Sequence, residues 1–220
     1  MQVFIIGATG GVGSRLRKSL VKAGHQVTGV YRSESQVDDL VADGVKPVNV
    51  DLMNTSGEKL AEVMKGCDAV VFSAGAAGAG IEQTDGIDGR GCKFAAEAAR
   101  LAGIKRFLLV SAFPEAGRAK DISPTFEHYM QVKKQADVML AATALDWVIL
   151  RPGTLVNGSG SGKVRLGLAI PYGTVPRADV AAVLHSLIDH PEVNRVIIEL
   201  TAGEQAVNDA VAEMAVYSGR

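Results

Sequence analysis

Cysteine is scarce. Cys67 and Cys92 are the two in 220 residues, and they fit neither a disulfide framework nor a zinc ligand spacing. They are expected to be reduced, partly buried thiols. Net charge is scarce too: 23 Lys and Arg stand against 24 Asp and Glu, a formal charge of -1. No basic field exists to recruit nucleic acid or an anionic membrane surface. No apolar run approaches the roughly 20 residues of a membrane span. Met1 leads almost directly into a strand-like stretch, so no leader peptide is read at the start. Internal repeats are lacking as well. These absences point to a cytoplasmic protein with no membrane and no nucleic-acid partner. Asn157-Gly158-Ser159 matches a glycosylation sequon, which has no meaning without secretion.

What is present is an ordinary soluble composition, 47% apolar and 21% charged, in a length that suits one α/β domain. Short apolar, β-branched runs alternate with longer helical patterns. Strands are expected at 3–6, 26–31, 46–50, 69–72, 106–110, 147–150 and 195–200. Helices are expected at 11–23, 35–42, 57–65, 86–102, 124–143 and 177–189, with a terminal helix after Gly203. Nearly continuous apolarity in four to six residues suits strands buried on both faces, as in a parallel sheet. Gly24, Gly44, Gly66 and Gly103 each follow a helix candidate, where a left-handed cap favours glycine. The polar run at residues 157–162 reads as a flexible loop, either a cover for a substrate or a slack connection.

The first strand ends in Gly7-Ala8-Thr9-Gly10-Gly11-Val12-Gly13, and an amphipathic helix follows. Glycines at such spacing permit a sharp turn, let a pyrophosphate approach the backbone, and let the helix pack against the strand. The helix start offers free N–H groups and a positive dipole end to phosphates. Thr9 stands where the stricter G-x-G-x-x-G pattern has its second glycine. A purely structural turn is the bland alternative; the strand before and helix after favour a dinucleotide site. The expected fold is therefore α/β of Rossmann type: a doubly wound, mostly parallel seven-stranded sheet with helices on both faces. It forms one domain over residues 1–220, with a small substrate-side region from about 155–176 and the C-terminal segment.

The second strand ends Val30-Tyr31-Arg32-Ser33, with no acid before Glu34. A carboxylate there would cap a ribose 2′-OH and repel a 2′-phosphate; a guanidinium pairs with that phosphate. Arg32, helped by the Ser33 hydroxyl, thus favours NADP(H) over NAD(H). The alternative is a solvated loop charge.

The chain resembles the short-chain dehydrogenase/reductase superfamily. It is most similar to the atypical single-domain NAD(P)H-binding branch, with its NmrA-like and flavin or biliverdin-IXβ reductase-like members, within the NAD-dependent epimerase/dehydratase superfamily. The resemblance rests on the glycine loop and on Asp51-Leu52, Phe72-Ser73-Ala74-Gly75, Lys105 to Ser111, Arg151-Pro152-Gly153-Thr154 and Val175 to Ala181. It implies that Asp51 and Leu52 hold the adenine and that Ser73, Ala74 and Gly75 lie along the cofactor. It also implies that Pro152, Gly153 and Thr154 flank the nicotinamide. Local roles are compatible with these: Asp51 can cap a turn, Pro152 can end a strand, and Asp179 can favour a helix start.

Tyr129-Met130-Gln131-Val132-Lys133 places a phenol and an ammonium on one helix face. The ammonium is expected to lower the tyrosine pKa and tune it as a proton donor to a carbonyl oxygen. Ser111 can bond the same oxygen. The resemblance implies that Ser111, Tyr129 and Lys133 are the catalytic set and that Lys133 also touches the nicotinamide ribose. The alternative is a surface tyrosine beside Lys133 and Lys134. His128 points about 100° away from Tyr129 and suits a surface or packing role. His25, His185 and His190 are scattered, so no metal site is expected.

The expected function is an NADPH-dependent oxidoreductase acting on a small-molecule substrate, with hydride passing to a carbonyl, quinone or flavin acceptor. A non-catalytic NADP(H) sensor and a sugar-nucleotide epimerase or dehydratase are the alternatives. The epimerase relatives carry a longer C-terminal substrate domain. Helices on both sheet faces leave the protein a monomer or a homodimer.

Overall fold

Val3, Phe4, Ile5 and Ile6 are all fully buried, so the first strand is covered on both faces. The computed structural model describes residues 1–117 and 121–219. In chain order the elements are β1 (Gln2–Ile6), α1 (Gly13–Lys22), β2 (Gln26–Tyr31), α2 (Val37–Ala42), β3 (Lys46–Asn49), α3 (Gly57–Met64) and β4 (Ala69–Phe72). A single turn, α4 (Ile81–Gln83), then runs through a π-helical stretch (Thr84–Gly91) into α5 (Cys92–Leu101). The second half holds β5 (Arg106–Val110), α6 (Pro124–Ala141), β6 (Asp146–Pro152), β7 (Thr154–Val156), β8 (Lys163–Gly167), β9 (Thr174–Pro176), α7 (Arg177–Asp189), β10 (Val196–Ala202), β11 (Gln205–Ala206) and α8 (Val207–Glu213).

The sheet order among the described residues is β11-β8-β10-β6-β5-β4-β1-β2-β3. The seven strands from β10 to β3 are parallel, and they are the seven expected from sequence. The sheet has nine strands, however. β8 runs antiparallel to β10 and β11 and was not expected as a strand. The physical reason is that β8 buries only Val164 fully, and β11 is two residues long. Neither carries the continuous apolar run of a strand covered on both faces. β7 and β9 form a separate small parallel pair.

Alternate strand residues feed two cores. Val3, Ile5 and Leu108 face Leu16 and Leu20 of α1, Val180 and Leu184 of α7, and Val211 of α8. Phe4, Ile6, Phe107 and Leu109 face Leu60 of α3, Ala95 and Ala99 of α5, and Leu140 of α6. The glycines after the helices do adopt positive φ at Gly24, Gly44, Gly66 and Gly103. β1 is flanked by β4 on one side and β2 on the other, so connections leave it in opposite directions. In sheets wound this way ligands bind at the carboxyl ends beside that reversal, which here is the turn after Ile6.

Candidate active site

The glycine loop is built by close approach. Gly7 has φ +92, and a Cβ there would lie 2.5 Å from the Ala74 nitrogen. A Cβ on Gly13 would lie 2.1 Å from the Gly7 carbonyl oxygen, so α1 starts directly against the end of β1. Gly10 is exposed, and a Cβ there would meet only the Gly7 oxygen, at 3.3 Å. Its outer side is thus the open one, where a pyrophosphate could reach the backbone. No side chain among the described residues caps the start of α1. Gly13→Ala should cost about 1–3 kcal/mol of stability, because a backbone oxygen must shift. It should also weaken dinucleotide binding, which fluorescence titration with NADPH would measure.

Two residues outside the motif hold the loop. Arg17 is buried beneath it and donates from Nη1 to the Ala8 carbonyl at 2.8 Å and from Nε to Asp43 at 2.8 Å. Gln36 accepts the N–H groups of Arg32 at 3.0 Å and Ser33 at 3.2 Å, and donates to Thr9 Oγ1 at 3.1 Å. It therefore ties the end of β2 to the glycine loop. Arg32 and Ser33 are exposed at that end. Asp51 takes the turn-capping role, accepting from Asn54 Nδ2 at 2.6 Å and the Met53 N–H at 2.9 Å. These bonds hold its carboxyl below the usual range, Asn54 first, with the Arg32 charge adding to them. Leu52 is half-buried and packs beside Gly91. Ser73 donates from both N–H and Oγ to the Ile6 carbonyl, at 2.8 and 3.2 Å. Ser73, Ala74 and Gly75 thus run alongside the loop, with Gly75 against Asp88.

Ser111 sits just past β5, where its N–H donates to the Leu150 carbonyl at 2.7 Å. Its hydroxyl is buried and lies near the Asp137 carboxylate, with no well-formed hydrogen bond among the described residues. Lys133 is 3% exposed; its ammonium donates to the Val110 carbonyl at 2.9 Å and lies 3.5 Å from Asp88 Oδ1. Asp88, 1% exposed, also accepts the Ala76 N–H through Oδ2 at 2.9 Å. One turn beyond Lys133, Asp137 is paired with Arg151 Nε at 2.9 Å and Nη2 at 2.8 Å. Tyr129, Lys133 and Asp137 form one stripe along α6, at intervals of four residues.

This environment corrects the expected tuning of Tyr129. Its pKa is raised from 10.0, not lowered. Burial is the largest cause, and the Asp88 and Asp137 carboxylates add to it against the Lys133 ammonium. Burial pushes the Lys133 ammonium down, but Tyr129, Asp88, Cys92 and Asp137 together hold it above 10.5. Asp137 is raised by burial, opposed by the nearby Ser111 hydroxyl and by Arg151. Cys92, wholly buried, is pushed up to about 12 by desolvation and is inert as a nucleophile. Asp88 and Asp137 were not singled out in the sequence. Asp137 had a signal in its spacing from Lys133. Asp88 had none, since it lies in a glycine-rich π-helical stretch. His128 pairs with Asp85 of that stretch at 2.6 Å and packs α6 against it.

Pro152 ends β6, and Gly153 donates to the Leu200 carbonyl at 2.8 Å. A Cβ on Gly153 would lie 2.2 Å from the Gly173 oxygen. Thr154 bonds the Tyr172 hydroxyl, and the Tyr172 ring meets Phe113 edge-on at 5.3 Å. The loop expected to be flexible is anchored at its end. Buried Asp179 accepts the Ser161 and Gly162 N–H groups at 3.1 and 2.9 Å. Arg177 donates to the Leu155 carbonyl at 3.2 Å and to Asn157 Oδ1 at 3.0 Å. Its side chain also lies over Gly11, where a Cβ would come within 2.7 Å of its Cδ. Arg177 therefore joins the loop after β7 to the glycine loop.

The chain matches a family model described as NAD(P)H-binding over residues 7–191. A Bacillus subtilis protein described as an uncharacterized sugar epimerase, YhfK, is 36% identical over 217 residues, 97% of this chain and 100% of its own length. Among solved structures, a putative NAD-dependent epimerase/dehydratase from Bacillus halodurans is 29% identical with a TM-score of 0.87, covering 97% of this chain and 99% of that one. ChuY, an anaerobillin reductase from Escherichia coli, is 26% identical with a TM-score of 0.77, covering 92% and 97%.

Proposed function

The chain belongs to the NAD(P)H-binding family, within the atypical short-chain dehydrogenase/reductases, and from that premise we propose that it is an NADPH-dependent reductase of a small carbonyl, quinone or flavin. The observation that carries the reading is the buried Ser111 hydroxyl beside the Tyr129–Lys133 stripe, near Asp137 but with no well-formed hydrogen bond among the described residues. A buried hydroxyl held so loosely can turn to a substrate oxygen and gain a full bond there.

The residues fit the cofactor. The open side of Gly10 and the uncapped start of α1 suit the pyrophosphate. Arg177 over Gly11 adds a cation there, and Arg32 with Ser33 suits the 2′-phosphate. The dinucleotide supplies the hydride when bound. Tyr129 holds the proton for the substrate oxygen, and its raised pKa keeps the phenol protonated at neutral pH. Lys133 donates to Val110 and faces Asp88 Oδ1 across an ion pair at 3.5 Å, which leaves a donor for a ribose hydroxyl. Its role is to hold a fixed charge and an anchor, since it does not lower the Tyr129 pKa below the ordinary value.

The name of the Bacillus subtilis relative, a sugar epimerase, favours a second reading, epimerisation of a sugar or sugar nucleotide. The substrate side here is small, consisting of β7, β9 and the loop held by Asp179. That leaves the reductase reading ahead. The discriminating experiment is NADPH consumption with quinones, flavins and aldehydes, beside a nucleotide-sugar epimerisation assay. Epimerisation without net NADPH loss would overturn the reductase. Tight NADPH binding with neither activity would leave a cofactor sensor.

Arg32→Ala tests the cofactor preference. It removes a charge-assisted bond, so NADPH affinity should fall about 10- to 100-fold. NADH affinity should stay within about twofold, read by the same titration. Equal losses for both would assign Arg32 a structural role.

A further inference from the structure

We propose that His25, His185 and Asp189 form a binding site for one divalent transition-metal ion. The histidines look scattered in the sequence, and the fold brings two of them together. His25 lies in the turn after α1, while His185 and Asp189 are one turn apart at the end of α7. One donor atom from each of the three lies within 4.8 Å of the others. His25 Nε2 is 3.3 Å from Asp189 Oδ1, and His185 Nε2 is 3.5 Å from Asp189 Oδ2. Ligand bonds of about 2.0–2.1 Å in a tetrahedron put donors about 3.3–3.4 Å apart, so each carboxylate oxygen stands near ligand spacing from one ring.

The rings are held in place. The two imidazoles meet edge-on with centroids 5.7 Å apart. His25 Nδ1 lies 3.4 Å from the Met1 nitrogen, with Nε2 turned toward Asp189. The His25 and His185 side chains are 11% and 22% exposed, whereas Asp189 is 51% exposed. The site is therefore walled on the imidazole side and open at the carboxylate, where water could complete the coordination. A cleft of about 620 Å³, lined by Arg15, Ser19 and His185 among others, opens beside it.

Two imidazoles and one carboxylate select zinc-like ions over the hard cations Mg²⁺ and Ca²⁺. His25 stands just before β2 and Asp189 in the helix leading to β10, at the amino ends of the strands, whereas the glycine loop lies at the carboxyl end of β1. A bound ion would clasp the end of α1 to the end of α7. This proposal does not depend on the reductase reading.

The test is calorimetric titration of the chain with Zn²⁺, and Co²⁺ absorption as a readout of geometry. One ion per chain is expected, with Mg²⁺ giving no signal. His25→Ala and His185→Ala should each weaken binding at least tenfold, and the double variant should abolish it. His190→Ala and Cys67→Ser should leave it unchanged. Excess Zn²⁺, about 100-fold over its dissociation constant, should raise the wild-type melting temperature by about 5 °C or more and leave that of the double variant unmoved. Circular dichroism would report that the variants are folded. Absence of saturable Zn²⁺ binding by the wild type, or equal binding by the double variant, overturns the site.

Discussion

Lys133→Met is expected to destabilise the protein by about 3–5 kcal/mol. The substitution keeps the length of the side chain and removes its charge. It would leave Asp88, 1% exposed, without the ammonium 3.5 Å away, and would strip the Val110 carbonyl of its donor. A buried carboxylate without a counter-charge is the costly outcome, more than the loss of the attraction itself. Asp88→Asn in the same background should recover part of the loss, because an amide oxygen can still accept the Ala76 N–H. Urea denaturation of the two variants, compared at equal m-value, measures this. A cost below about 1 kcal/mol would mean that the pair is not ionised as described. The linkage has a definite direction. The folded chain holds the Lys133 proton more tightly than the unfolded one, above 10.5. Its contribution is full below pH 10.5 and is lost as pH rises through the higher folded value. Wild type should therefore lose stability on that alkaline limb, and Lys133→Met should lose correspondingly less.

Tyr129→Phe is expected to reduce turnover with a carbonyl acceptor about 10²- to 10⁴-fold, the usual contribution of a positioned proton donor. NADPH affinity should stay within about twofold, since the phenol is not part of the dinucleotide cradle. The pH profile carries a second check. Because burial and two carboxylates raise the Tyr129 pKa above 10.0, the rate should hold until the pH exceeds that value. A basic limb near neutrality that survives in the variant would assign the proton to another group. Unchanged turnover with a flavin or quinone would indicate direct hydride transfer without a proton donor, and would retire Tyr129 from the mechanism for that acceptor.

The central parallel strands were legible because they are apolar on both faces, as Val3 to Ile6 and Ala69 to Phe72 show, whereas the edge strand β3, KPVN, buries none of its residues fully. β8 was not legible, because one buried Val164 between Lys163 and Arg165 carries no such signal. The glycine loop was legible as a cradle, but its supports were not. Arg17 reads as a solvated charge on an amphipathic helix. Only the fold reveals Asp43 and the Ala8 carbonyl at its guanidinium. The spacing of Tyr129 and Lys133 was visible, and the sign of the tyrosine shift was not. That sign depends on burial and on Asp88, which arrives from a different helix. His25 and His185 failed for the same reason: proximity made by α1 packing on α7 leaves no local pattern.

The strand order also imposes a timetable on a chain leaving the ribosome. β1 finds both its neighbours, β2 and β4, once Phe72 has been made. β8 has no such fortune. Among the described residues its partners are β10 and β11, and both are made after it. From the synthesis of Gly167 until Val196 and its successors emerge, Lys163–Gly167 must wait as an unpaired strand, with β6 exposing the side that β10 will later cover. At about 5–20 residues per second that wait lasts seconds. The alternating charge of Lys163 and Arg165 on the waiting strand would repel a second nascent copy during that interval.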